Sequence, residues 1–86
     1  MYLEMNDLIK EITAAHGDRL DSLYICESNR DHGAVLAIFL LVVGDAWELH
    51  KWFFLPDGST RKYREDSGVL NDVGREEFRG LVYRCV

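Results

Sequence analysis

A run of ten consecutive apolar residues, Ala34 to Val43, constrains the fold of this 86-residue chain more than any other feature. The run is well short of the roughly 18–20 apolar residues that a membrane-spanning helix requires, so we expect no membrane partner. Periodicity alone does not separate a buried helix from a buried strand here, but the β-branched and aromatic content and the flanking turn residues favour a strand. A strand that is apolar on both sides lies in the middle of a sheet whose two faces are both covered.

The segments around this run predict one α+β domain that covers residues 1–86. Apolar residues recur at spacings of three and four between Met5 and Ala15, which predicts a helix at about residues 3–16. Four segments have the composition and the flanking turns of strands: 22–27, 34–43, 46–55 and 60–65. Their short connections predict a largely antiparallel meander that packs against the helix.

The C-terminal residues predict a turn, a second helix and a last strand. Asp66 to Gly68 is rich in turn residues, and Asn71 to Arg79 can form a short helix that Gly80 would end. Residues 81–86 would then form a fifth strand. The predicted fold class is therefore α+β: an N-terminal helix packed on a mostly antiparallel sheet of four to five strands, with a short second helix near the C-terminus.

Both cysteines, Cys26 and Cys85, fall in predicted strands, so they could form a disulfide if those two strands pair in register. The chain begins without a charged and then apolar leader, which favours a cytoplasmic protein. In that compartment both thiols would stay reduced and act as small apolar side chains.

Covering both faces of this sheet is the energetic problem that the sequence poses. Trp47 faces one side of the third strand, Trp52 and Phe54 face the other, and the N-terminal helix can cover only one of the two sides. The uncovered face would exceed the few hundred Å² of apolar surface that a monomer tends to expose. We therefore expect a strongly curved sheet, a second copy of the chain or another protein to cover it, and of these three we favour a homodimer.

The chain is acidic, with fifteen acidic and ten basic residues and a net charge of −5. Its clearest basic cluster consists of Arg61, Lys62 and Arg64, with Tyr63 among them. Such a cluster is typical of a solvated strand, and it could also contact phosphate or an acidic partner. The overall charge argues against nucleic acid as the main partner, because phosphate contacts dominate the affinity of nucleic-acid binders.

Glu48 and His50 are two residues apart on the third strand, so their side chains lie next to each other on one face. The carboxylate could orient the imidazole as a general base or as a metal ligand, and the alternative is an ordinary polar pair. Together with Trp47, Trp52 and Tyr63, His50 could also line a small-molecule pocket in a curved sheet.

His32 and Cys26 could add metal ligands to this pair, but the short ligand spacings of zinc sites do not occur in the sequence. We therefore expect no metal and no other cofactor. His16 is expected to interact with the helix dipole at the end of the first helix. Phosphate-binding loops, nucleophile elbows and metalloprotease motifs do not occur either, which argues against an enzyme.

The leading hypothesis is a small acidic, non-enzymatic protein-interaction module of the inhibitor, immunity or adaptor type that acts through its sheet surface. Its partner would be a second copy of the chain or another protein. The alternatives are a domain that binds a small molecule or a metal, and a weak contact with nucleic acid through residues 61–64. The candidate binding residues are Glu48, His50, Trp52, Phe54, Arg61, Lys62, Tyr63 and Arg64.

Overall fold

The computed structural model describes residues 5–28 and 33–85. Its elements are α1 (Met5–His16), a 3-10 turn (Gly17–Arg19), β1 (Leu20–Ser28), β2 (Ala34–Val43), β3 (Ala46–Phe54), β4 (Thr60–Val69) and α2 (Asn71–Cys85). The strands form one antiparallel sheet in the order β1-β2-β3-β4. The predicted α+β class is confirmed, with an N-terminal helix packed on a four-stranded antiparallel sheet and a second helix near the C-terminus. Neither helix in the part of the chain that the structure describes is long and apolar enough to span a membrane.

β4 is longer than the sequence predicts, because the expected turn at 66–68 is part of the strand. Gly68 lies there against Trp47 of β3, and a Cβ atom at this glycine would be only 2.9 Å from the indole Cζ2. The Trp47 Nε1–H donates a hydrogen bond to the Val69 carbonyl at 3.1 Å. Gly68 is therefore a position of close packing, which the local sequence does not distinguish from a turn.

α2 takes the place of the expected short helix and fifth strand, so the prediction of a strand at 81–86 is wrong. Gly80 lies inside this helix, where a glycine costs only about 1 kcal/mol relative to alanine. Apolar residues on either side of it repeat at helical spacing and contact the core: Phe78, Leu81 and Val82. Cys85 therefore belongs to a helix, and the expected pairing of its strand with that of Cys26 does not occur.

The alternating side chains of β2 and β3 build two core clusters, one on each face of the sheet. On the α1 face, Leu8 and Ile12 of α1 pack with Val35, Ala37, Phe39, Leu41, Trp52 and Phe54 of the sheet. On the α2 face, Leu81 of α2 packs with Leu36, Ile38, Leu40, Trp47 and Leu49 of the sheet. The expectation that the chain can cover only one face is wrong, because α2 covers the second. The homodimer stays a prediction, but this argument no longer supports it.

α1 does not cover the α1 face across its whole width. Residues 61–67 of β4 are exposed, and so are Val43 and Val69 at the ends of β2 and β4. α1 ends at His16, whose ring lies close to Phe39 and His50 in the middle of the sheet. The side of this face next to β4 is therefore open, and the candidate site lies there.

Candidate functional site

Three polar or aromatic residues of β3 lie in a row on the α1 face, and each has a neighbour on β4. The paired residues are Glu48 with Ser67, His50 with Arg64, and Trp52 with Lys62. The row alternates with residues of the opposite face, as the period of two in a strand requires. It therefore continues the α1 face from the apolar core to the open side of the sheet.

A register shift in the β3–β4 ladder decides which residues of β4 join this row. Leu49 pairs with Asp66 but His50 pairs with Arg64, so Glu65 is an extra residue in β4. Such a bulge changes the face to which all following side chains point. Here it places two cations, Arg64 and Lys62, and no acidic residue of β4 next to the second half of β3 on the α1 face.

Glu48 and His50 form the hydrogen bond that their spacing allows. The His50 Nε2–H donates to Glu48 Oε1 at 2.9 Å, and a guanidinium nitrogen of Arg64 lies 3.8 Å from Glu48 Oε2. The hydrogen bond from His50 is the main cause that lowers the pKa of Glu48, and Arg64 also stabilises its charged form. The His50 ring stacks on Phe39, with 5.2 Å between the centroids and 6° between the planes. Glu48 is therefore an ionised group that orients the imidazole.

His16 joins this cluster from the end of α1, a contact that the sequence analysis missed. Its ring centroid lies 5.9 Å from that of His50 and 5.9 Å from that of Trp52. The Arg19 guanidinium donates to His16 Nδ1 at 3.2 Å, which leaves the imidazole neutral. Burial lowers the pKa of His16, and the positive charge of Arg19 lowers it further. The short connection from α1 to β1 indicates that His16 lies near the sheet, but it does not indicate which strand His16 contacts.

Lys62 lies across the row from these groups. Its Nζ is 4.2 Å from the centroid of the Trp52 ring, which is a cation–π contact. Trp52 is only 4% exposed, so Lys62 lies at the surface above a buried ring. We call the whole arrangement the cationic groove; it consists of His16 and Arg19 on one side, Lys62 and Arg64 on the other, and Glu48, His50 and Trp52 between them.

Three of the candidate binding residues lie outside this groove. Phe54 is buried in the core on the α1 face. Arg61 and Tyr63 alternate with the two cations of β4 and lie on the α2 face, where the Tyr63 ring is 6.0 Å from that of Phe53. The basic cluster at 61–64 is therefore divided between the two faces of the sheet and does not form one surface.

The small-molecule pocket expected from Trp47, His50, Trp52 and Tyr63 does not form. Trp47 and Tyr63 lie on the α2 face, whereas the other two lie on the α1 face. The alternation of side chains along β3 and β4 explains this error, because residues at odd separations point to opposite faces.

Cys26, a possible additional metal ligand, is not brought to Glu48 and His50. Cys26 packs against the core cluster of the α2 face, on the opposite side of the sheet from His50, and His32 lies outside the described residues. Within residues 5–28 and 33–85, no three His, Cys, Asp or Glu residues are grouped so that they could hold a metal ion.

A small cavity of about 70 Å³ lies at one end of the groove, next to the turn between β2 and β3. It is lined by Arg19, Leu41, Val43, Ala46, Trp47 and Glu48. Three aliphatic residues and Trp47 therefore line the cavity together with one cation and one carboxylate of the groove region.

Comparisons with models of protein families, with curated proteins and with solved structures give no match. The chemistry of the groove is therefore the basis for a functional argument. The groove holds three permanent cations, Arg19, Lys62 and Arg64, and one carboxylate, Glu48, on a chain whose net charge is −5. An arrangement of this kind favours an anionic ligand or partner.

Proposed function

We propose that this chain is a non-enzymatic protein-interaction module that binds an acidic segment of a partner protein in the cationic groove. The observation that carries the proposal is the local excess of positive charge: Arg19, Lys62 and Arg64 against the single carboxylate of Glu48. Complementary charge guides a partner to such a surface and excludes partners of the wrong sign. The remaining surface is acidic and would repel an acidic segment.

The groove is also held in place before a partner arrives. Glu48, His50 and Phe39 are linked by a hydrogen bond and ring stacking, and Arg19 is hydrogen-bonded to His16. A surface that is already ordered loses less conformational entropy when it binds. Arg64 nevertheless keeps its side chain 62% exposed, so its charge is available to a partner.

A different protein fits this groove better than a second copy or a nucleic acid. A symmetric homodimer formed through this groove places the same patch against itself, so two surfaces of net positive charge would face each other. A nucleic acid would meet only part of the basic cluster, because Arg61 lies on the α2 face and the chain is acidic overall. The inhibitor, immunity or adaptor role, the cytoplasmic location and a homodimer through another surface stay predictions.

The test uses a fluorescently labelled poly-glutamate peptide and charge-reversal variants. The variant K62E/R64E should lower the affinity for the peptide by at least tenfold. The matched variant R79E/R84E makes the same charge change on the exposed side of α2 and should have little effect. Affinity for the wild type should fall as salt rises from roughly 50 to 200 mM, because the contact is between charges.

Two results would contradict the proposal. Equal loss of affinity in the two variants would show that only the net charge of the chain matters. Tighter binding of a single-stranded DNA oligonucleotide of the same charge would assign the groove to nucleic acid.

A further inference from the structure

An exposed row of aliphatic residues continues the α1 face beyond the end of the groove. Val43 of β2 pairs with Ala46 of β3, and Ala46 pairs with Val69 of β4, so the three are direct neighbours on one face. Val43 is 59% exposed and Val69 is 67% exposed. Leu70, the next residue along the chain, is 63% exposed. We call Val43, Ala46 and Val69 the aliphatic strip, which Leu70 follows in the chain.

Backbone hydrogen bonds hold the residue after this strip in place, since the Leu70 N–H donates to the Asp45 carbonyl at 2.9 Å and the Leu70 carbonyl accepts from the Val73 N–H at 3.0 Å, but they do not explain why that residue is a leucine. Leu70 has a φ of 70°, in the left-handed region that glycine adopts without strain and that a leucine adopts at a cost. Its side chain is exposed, so burial does not compensate for that cost. Strained positions that give no packing in return are found most often at functional sites.

The cavity described above joins the aliphatic strip to the groove. Val43 and Ala46 belong to the strip, and Arg19 and Glu48 belong to the groove, yet all four line this one cavity. Its volume of about 70 Å³ is roughly half that of a protein cavity that accepts benzene, about 150 Å³. A single branched aliphatic side chain suits the aliphatic part of this lining, which consists of Leu41, Val43 and Ala46.

The register of the sheet fixes how far the cations lie from the strip. Ala46 is four residues before His50, which pairs with Arg64, and six residues before Trp52, which pairs with Lys62. At about 3.3 Å per residue, Arg64 and Lys62 lie roughly 13 and 20 Å along the strand from Ala46. An extended peptide has the same rise, and residues an even number apart point to the same side.

From these observations, and on the basis of the function proposed above, we infer the chemistry of the partner segment. It is an extended segment that inserts one branched aliphatic side chain beside Val43 and Ala46. It presents carboxylates four and six residues from that side chain, to Arg64 and Lys62. Charge complementarity and the continuity of the strip with the groove select this occupant.

The test uses labelled peptides made of Ser and Thr that carry one Leu and two Glu. In the matching peptide the Glu residues are four and six positions from the Leu, and the sequence is made in both chain directions. A first control replaces Leu by Ser, and a second moves the Glu residues to positions three and five. In at least one direction, the matching peptide should bind about tenfold more tightly than each control.

The protein variant V43T/V69T keeps the shape and the strand preference of both residues but removes their apolar character. It should bind the Leu and the Ser peptides equally. The variant Y83Q, at an exposed apolar residue on α2, should still prefer the Leu peptide. If the wild type binds the Leu and Ser peptides equally while K62E/R64E weakens both, the strip is not part of the site and the proposed function stands. If K62E/R64E weakens neither peptide, the proposed function itself fails.

Discussion

The two faces of this sheet are covered by different means, although the same strands build both. On the α2 face, Gly74 brings the helix backbone so close to Trp47 that a Cβ atom would be 2.5 Å from the indole Cγ. On the α1 face, Leu8 and Ile12 provide the cover, and the helix ends before it reaches β4. Both faces therefore contribute a buried core, but α2 packs closely on its face, whereas α1 leaves charged groups of the other face in reach of solvent.

The contrast between the two faces shows where a small sheet domain has room for a functional site. Close packing through glycines leaves no space for a ligand between helix and sheet. A cover that is narrower than the sheet leaves a row of strand residues exposed, and their chemistry can be changed without loss of the core. The cationic groove and the aliphatic strip both lie on the face with the narrower cover.

The largest effects should come from removing one buried anchor on each face. I12A and L81A should each lower the free energy of unfolding by about 2–4 kcal/mol, because both residues are buried in a core cluster. Urea denaturation measures this cost. Only I12A should also weaken the binding of the acidic peptide, because His16 lies one turn further along α1. Equal weakening by L81A would mean that the two faces are not independent.

A smaller but more specific effect should come from the glycines of α2. G74A should lower the free energy of unfolding by about 2 kcal/mol, because the new methyl group overlaps Trp47. G80A should raise it by about 0.5–1 kcal/mol, since a Cβ there meets nothing within 4 Å and alanine is the better helix former. Thermal unfolding of the two single variants measures both changes in the free energy of unfolding. Similar values for both would show that α2 does not pack closely on the sheet.

L70G should change stability and binding in opposite directions on the open side of the sheet. Glycine adopts the observed φ of 70° without strain, so the variant should gain about 1 kcal/mol in the free energy of unfolding. It should at the same time bind the matching Leu peptide less tightly. A loss of stability would mean that the leucine side chain supports the fold.

The smallest effect should be the pH-dependent contribution of Glu48. Its pKa in the folded chain is lower than the ordinary value of 4.5, so its stabilisation is present above that value and is lost as the pH falls through the folded pKa. E48Q should therefore cost about 0.5 kcal/mol near neutral pH, after screening by solvent, and nothing at low pH. Denaturation of E48Q and of the α2 surface variant E76Q across pH 3–7 measures it. A gap between E48Q and wild type that does not narrow as the pH falls would contradict this origin.

The sequence was sufficient for elements whose signals are local. The apolar run from Ala34 to Val43 forms the buried strand that its composition predicts, and the first helix ends at His16 before Gly17 as expected. Gly68 and Gly80 were misjudged as a turn and a helix end. One of them lies under Trp47 and the other lies inside a helix, and only tertiary contacts distinguish these roles from ordinary chain breaks.

The candidate site was likewise predictable only where its contacts depend on short spacings in the sequence. The spacing of Glu48 and His50 indicated their contact, because neighbours on one face of a strand are two residues apart. The same alternation places Arg61 and Lys62 on opposite faces of the sheet. The prediction that residues 61–64 form one basic cluster did not take this into account. The meeting of His16 with His50 depends on how α1 crosses the sheet, and no short-range pattern specifies that crossing.

The extra residue in β4, Glu65, determines which charged side chains lie on the α1 face. With regular pairing, Glu65 would lie opposite His50, and both cations of the groove would turn to the other side of the sheet. The distant hairpin at 55–59 holds the observed alignment, with the Leu55 N–H donating to the Ser59 carbonyl at 2.9 Å. Lengthening that hairpin loop by a single residue at the expense of the strand would bring Glu65 and Arg61 to the α1 face in place of Lys62 and Arg64, and the excess of positive charge there would be lost with every side chain unchanged.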